Sequence, residues 1–195
     1  MKPVRPLAPD DPRVADPMFT FREAAFYLEV PVATLHNWAR PRAELPPLIT
    51  TLDARPSLPF IGFAEAFVIR MALRAGVPRR RVRPGVEAIK ERAGNIQHAL
   101  ASRLVWTDGA EILWGVAGDD LEVARTNQKQ FRETVREQLQ AITYGNDGFA
   151  EYIRLPKYGS VPVTVDPFVA GGLPLIRSGI RHSRRRCTPS RRSRR

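Results

Sequence analysis

The stretch from Thr20 to Trp38 constrains this chain most, because it forces two short amphipathic helices into a tight corner. Thr20-Phe21-Arg22-Glu23 has the spacing of a capping box: the Thr20 hydroxyl can accept an orphan helix N–H while Glu23 reaches back to the Thr20 amide. A helix is predicted to start there. Ala24, Ala25 and Leu28 give it a narrow apolar face whose small residues let a second helix approach closely. Glu29-Val30-Pro31 forms the turn. Pro31 is tolerated in a first helical turn, where its missing N–H has no intrahelical partner, so a second helix can run from about Val32 to Arg40. Leu35 and Trp38, three apart, face inward with Ala25, Leu28 and Val30. Ala33, Thr34, His36, Asn37 and Arg40 remain on the outer face, where donors and acceptors can reach base edges or phosphates in a DNA major groove. The same pattern also fits a small helical bundle whose Ala, Leu and Trp residues only pack, with His36 and Asn37 solvated.

Charge does not decide between these readings. Lys and Arg number 31 against 20 acids, a net charge of +11, yet the stretch from Arg181 to Arg195 holds eight Arg and no acid, and without it the balance is +3. The folded part must therefore be argued from motifs rather than from its basicity. With 195 residues and 43% apolar content, the chain can bury the core of one ordinary domain or two small ones. Cys187 is the only thiol, which excludes an intrachain disulfide and a cysteine-based zinc cluster. Met1 to Pro12 lacks an apolar signal core, and the most apolar stretch, Ile61 to Val77, is interrupted by Glu65, Arg70 and Arg74. The expectation is a soluble, cytoplasmic protein without a membrane partner.

Residues 1–17 carry five of the eighteen prolines and are expected to form a flexible, Pro-rich lead-in. Residues 18–92 show mostly helical spacing with a Pro-rich interruption from Pro41 to Pro59, and make the first domain. From Leu104 the pattern changes. Leu104 to Thr107 and Ala110 to Trp114 read as two strands joined by Asp108-Gly109. A helix follows with Phe131, Val135, Leu139 and Ile142 on one face, then short β segments over Phe149 to Leu155 and Val161 to Val165. Residues 93–181 thus form a small α+β domain, and residues 182–195 an Arg-rich tail.

The first domain resembles the MerR family of winged helix-turn-helix regulators, whose first segment has the form Thr-x-x-Glu-Ala-Ala-x-x-Leu-Gly-Val-x-x-x-Thr-Leu-x-x-Trp. Thr20, Glu23, Ala24, Ala25, Leu28, Val30, Thr34, Leu35 and Trp38 match it. Glu29 departs, standing where the family has Gly; a Glu at positive φ costs on the order of 1 kcal/mol or more. Phe60 to Ala66 and Ile69 to Pro78 are similar to the third and fourth helices of that fold, with Gly76 as a stop. The resemblance implies a DNA-binding face made of Thr34, His36, Asn37 and Arg40, and a wing flanked by Leu48 to Leu52 and Leu58 to Ile61, with Arg55 near its tip. Arg79-Arg80-Arg81-Val82-Arg83 can either grip phosphates beside the groove or form a solvated face offset by Glu87 and Glu91.

No catalytic constellation is found over residues 93–181: His98 is the one histidine, and the acids are not spaced as metal ligands. The protein is therefore expected not to be an enzyme and to need no cofactor. His98 reads as a surface or capping residue, and Gly171-Gly172-Leu173-Pro174 as a turn. The segments around Asp108-Gly109, through Phe131, at Asn146 to Phe149, and from Val163 through Gly172 to Ile176 resemble, in order, an uncharacterised domain family found among VapB-type antitoxins.

That resemblance implies an antitoxin of a VapBC-like type II pair. Its N-terminal half would bind double-stranded operator DNA, and its C-terminal half would dimerise or hold a VapC-like PIN-domain ribonuclease toxin. A homodimer also follows physically, since two recognition helices related by a two-fold axis read a palindromic site. The main alternative is a MerR-like transcriptional regulator with a ligand-sensing second domain and no toxin. A nucleic-acid-processing enzyme would need clustered acids or histidines. The Arg-rich tail has two readings: a basic arm adding counterion-release affinity, or, the reading favoured here, a shifted reading frame in a high-GC gene.

Overall fold

The computed structural model describes residues 4–41, 45–54, 57–94, 96–105, 128–155 and 163–176, with positions 109, 115, 158 and 161. In chain order these form α1 (Pro12–Ala15), α2 (Phe21–Leu28), α3 (Val32–Ala39), α4 (Phe60–Arg74), α5 (Arg79–Arg92), a 3-10 turn (Ala99–Ala101), α6 (Gln128–Leu139), β1 (Ile142–Tyr144), β2 (Ala150–Arg154), β3 (Val163–Val165) and β4 (Leu175–Ile176). The architecture is α+β: a helical N-terminal region with a helix-turn-helix, followed by an antiparallel sheet in the order β1-β2-β3-β4.

Helix α4 organises the molecule because it has no polar face. Every residue from Phe60 to Ala72 is buried, so the helix must be surrounded. It packs against α1, α2, α5, α6, the 3-10 turn and β2, and one hydrophobic cluster runs from Phe19 through α4 to Val165. Phe60, Phe63 and Phe67 each contribute roughly 1.5–3 kcal/mol by burial. Gly62 lets the backbone before α4 come close: a Cβ there would stand 2.0 Å from the Thr50 carbonyl oxygen. Beside it, Glu65 accepts the Thr50 N–H at 2.6 Å, and the His98 ring nitrogen Nδ1 lies 3.0 Å from Thr50 Oγ1 and 3.3 Å from Glu65 Oε1. His98 is thus a buried tie between α4 and the chain leaving α5, not a surface residue. The polar Glu65 inside an apolar helix attracts it.

Other expectations are also corrected. Over its described residues 4–17 the lead-in is packed rather than flexible: Asp11 caps α1, Pro12 opens it, and Arg13 is buried against Asp11, Asp147 and the Ala150 carbonyl. A guanidinium with two carboxylates can enter the interior, and it holds the Pro-rich segment down. The wing strands do not form among the described residues. Leu58 instead exchanges hydrogen bonds with Phe19, while Phe60 and Ile61 already belong to α4, which starts after Pro59.

Leu104 and Val105 sit in helical turns rather than a strand, with Val105 N–H donating to the Ser102 carbonyl at 3.2 Å; residues 106–108 and 110–114 of the expected hairpin lie outside the described residues. Phe131, Val135 and Leu139 share the buried face of α6, but Ile142 starts β1 and pairs with Ile153. Arg55 and the tail 182–195 lie outside the described residues. Among the described residues no helix is long and apolar enough to cross a membrane.

Candidate nucleic-acid interface

The corner between α2 and α3 is built as its residue pattern requires. Thr20 Oγ1 accepts the Glu23 N–H at 3.2 Å, and Glu23 Oε2 accepts the Thr20 N–H at 2.9 Å, completing the capping box. The helix ends at Glu29, whose backbone is left-handed (φ 52, ψ 46), and the Val30 N–H reaches back to the Ala25 carbonyl at 3.1 Å. This closure usually employs Gly, which has no Cβ to crowd the left-handed backbone. Ala25, Leu28, Leu35 and Trp38 are buried at the corner, and Val30 packs half-buried against them. Pro31 stands at the cap of α3, just outside the helix.

The Glu29 side chain explains why the strained turn persists. Its Oε2 accepts hydrogen bonds from Arg70 Nη2 at 2.5 Å and Arg74 Nη2 at 2.6 Å, tying the turn to α4. Desolvation opposes ionisation of Glu29, but Arg74 and Arg70 together hold its carboxyl below the usual range. Burial, with repulsion from Arg74, pushes the Arg70 guanidinium down despite Glu29. The Arg70 side chain is only 3% exposed, and its Nε is buried with no hydrogen-bond partner.

Beside this latch lies a cleft of about 530 Å³ between α3 and the corner joining α4 to α5. Thr34 and Asn37 line it from α3; Arg70, Arg74, Arg79, Arg80 and Arg83 line it from α4 and α5; Glu29 is the single acid among the lining residues. The first turn of α5 carries no acid and no side-chain cap, so its positive dipole end adds to the arginines. Arg83 Nη1 donates to the Pro46 carbonyl at 2.8 Å and braces α5 against the segment between α3 and α4.

The predicted reader residues separate within this geometry. Thr34 and Asn37 come together on the cleft wall, with Asn37 exposed. His36 is half-buried, its ring stacked on Phe21 with centroids 4.3 Å apart. Arg40 is exposed but extended, one position beyond the last helical residue. Sequence reasoning missed Arg70 and Arg74, noting them only as interruptions of an apolar run. An acid in a turn position suited to Gly, together with two arginines one helical turn apart on a helix whose only other charge is Glu65, was the available signal. Among the described residues, no three His, Cys, Asp or Glu side chains gather as a metal site.

Residues 17–86 match the family described as "Putative DNA-binding HTH domain". Over 191 residues the chain is 40% identical to "Putative antitoxin VapB45" of Mycobacterium tuberculosis H37Rv, covering 85% of this chain and 79% of that protein. It is also similar to the crystal structure of Rv2018 from Mycobacterium tuberculosis, with a TM-score of 0.65 and 36% identity over 84% of this chain and 80% of the other. With a helix-turn-helix of the DNA-binding kind at its N-terminus and this similarity along most of its length, the chain belongs to the VapB-type antitoxin family.

Proposed function

We propose that this antitoxin binds operator DNA through α3 and neutralises a VapC-like PIN-domain ribonuclease, acting by binding rather than catalysis. The observation that supports the DNA role best is the exposed Asn37 on α3 beside a cleft lined by five arginines. A helix that offers an amide to base edges while cations stand at its flank can combine direct readout with backbone positioning. In this reading Asn37 and Arg40 read bases, Thr34 and His36 support them, and Arg55 meets a neighbouring phosphate. Residues 18–92 carry the DNA function. Residues 93–181 carry homodimerisation and the toxin contact, which brings two α3 helices onto a palindromic site.

The test uses the full chain and a duplex from its own promoter in fluorescence anisotropy. Asn37→Ala with Arg40→Ala should weaken binding by about 1–3 kcal/mol per lost base contact, while leaving affinity for a scrambled duplex nearly unchanged. Equal losses on both duplexes would remove α3 as the reader. Co-expression with the nuclease encoded beside it should yield a complex in which RNA cleavage is suppressed; free, active nuclease would overturn the toxin assignment.

A further inference from the structure

The function proposed above puts α3 in a groove of DNA but leaves open what holds the duplex backbone. We infer that the cleft between α3 and the α4–α5 corner is the seat of a backbone phosphate, and that Glu29 is a built-in counter-anion that limits how strongly this seat grips DNA of any sequence. This inference rests on DNA binding by the helix-turn-helix, though not on which α3 residues read bases.

Three independent observations carry it. The cleft, at about 530 Å³, can hold a phosphodiester with part of its hydration, and its lining sets five arginines beside apolar residues such as Trp38, Leu48 and Leu73. The first turn of α5 faces the same space with no acid and no side-chain cap, an arrangement that favours an anion. The buried Arg70 also lines the cleft, its guanidinium lying over the Phe67 ring and its Nη2 on Glu29, so a fixed cation backs the site. Thr34 and Asn37 form the opposite wall, so a phosphate seated there would lie next to the bases α3 can touch.

Glu29 fits the second half of the inference. Its carboxylate oxygen occupies two guanidinium groups at 2.5 and 2.6 Å, as a phosphate oxygen would. Arg79 and Arg80, exposed on the first turn of α5, add attractive charge to the same cleft, and Arg83 adds its own while donating to the Pro46 carbonyl. An acid beside a phosphate seat subtracts from the electrostatic, sequence-independent part of binding. The share of affinity due to base readout rises as a result.

The experiment measures affinity for the promoter duplex and a scrambled duplex between 50 and 200 mM salt, with folding followed by circular dichroism. Arg79→Gln with Arg80→Gln, at exposed positions, should weaken both duplexes alike and make the slope of log affinity against log salt shallower by about 1–2, since each phosphate contact contributes roughly 0.9. Glu29→Gln should tighten the scrambled duplex several-fold, steepen the slope by about 1, and narrow the ratio between the two duplexes. A slope unchanged in the arginine variant would overturn the phosphate seat. Unchanged or weaker scrambled binding by a folded Glu29→Gln protein would overturn the counter-anion role. Inorganic pyrophosphate at constant ionic strength separates a backbone from a free anion. Tight pyrophosphate binding, lost in the arginine variant while duplex affinity is kept, would assign the cleft to a small phosphate ligand and overturn the inference. A failure of Asn37→Ala with Arg40→Ala to discriminate the duplexes would strike only the reader assignment and leave the slopes to judge the seat.

Discussion

Glu29 Oε2 lies 2.5 Å from Nη2 of the buried Arg70, a contact made across 41 positions of sequence that joins a strained turn to the central helix. Two effects oppose each other there. Glu29→Gly would relax a left-handed backbone by about 1 kcal/mol. It would also strand a buried guanidinium, which costs about 3–5 kcal/mol for a fully buried pair. Because the Glu29 side chain is 36% exposed, water screens part of that loss. The expected net effect is destabilisation by about 1–2 kcal/mol, read as a lower urea midpoint at unchanged slope. A more stable variant would mean that the turn, and not the latch, dominates.

The same carboxylate sets a pH dependence. The Glu29 and Asp11 carboxyls are both held below their ordinary values of 4.5 and 3.8: Glu29 by Arg74 and Arg70 against desolvation, Asp11 chiefly by its hydrogen bond from Arg13. A depressed folded-state value stabilises the protein above the unfolded-state value, and this contribution is lost as pH falls through the depressed one. Melting temperature should therefore decline below about pH 4.5. Glu29→Gln with Asp11→Asn should show a flatter decline. Identical acid profiles for variant and wild type would exclude these two groups as its source.

Arg13 anchors the N-terminal segment to the sheet region through Asp11 and Asp147. Arg13→Met keeps most of the apolar stem but leaves both carboxylates without their cation. Since Asp11 and Asp147 are 17% and 28% exposed, the expected cost is about 1–3 kcal/mol, below that of a fully buried pair. Amide exchange over residues 4–18 should accelerate well before the rest of the protein. Unchanged protection there would show that Val4, Leu7 and Met18 hold the segment without it.

Two glycines separate crowding from backbone strain. Gly62→Ala would set a Cβ 2.0 Å from the Thr50 carbonyl oxygen and push α4 off the loop, costing about 1–3 kcal/mol. Gly94→Ala meets nothing within 4 Å but must hold φ +69, so about 1 kcal/mol is expected. Thermal melts of the two variants should rank Gly62→Ala as the more damaging. The reverse order would show that the Thr50 loop yields easily.

The helix-turn-helix was legible because its determinants are local. A capping box is written within four residues, the inward Leu35 and Trp38 within one helical turn, and the stop after α4 in Gly76, whose φ is 101. The apolar face of α6 was legible for the same reason, as was the α+β class. What the tertiary structure alone decided depends on partners far apart in the chain. Leu58 pairs with Phe19 instead of edging a wing, since a strand's partner is chosen by packing and not by its own residues. His98 is drawn inside by Glu65, and Arg13 by Asp147, because a buried polar group goes where another satisfies it. The arginine cleft was hidden for a related reason. Arg70 and Arg74 sit on α4, Arg79, Arg80 and Arg83 on α5, and Thr34 and Asn37 on α3, and only the packing of α4 against α2 and α5 brings their charges to one surface. Local propensity writes the helices; long-range burial and charge pairing decide which of their faces meet.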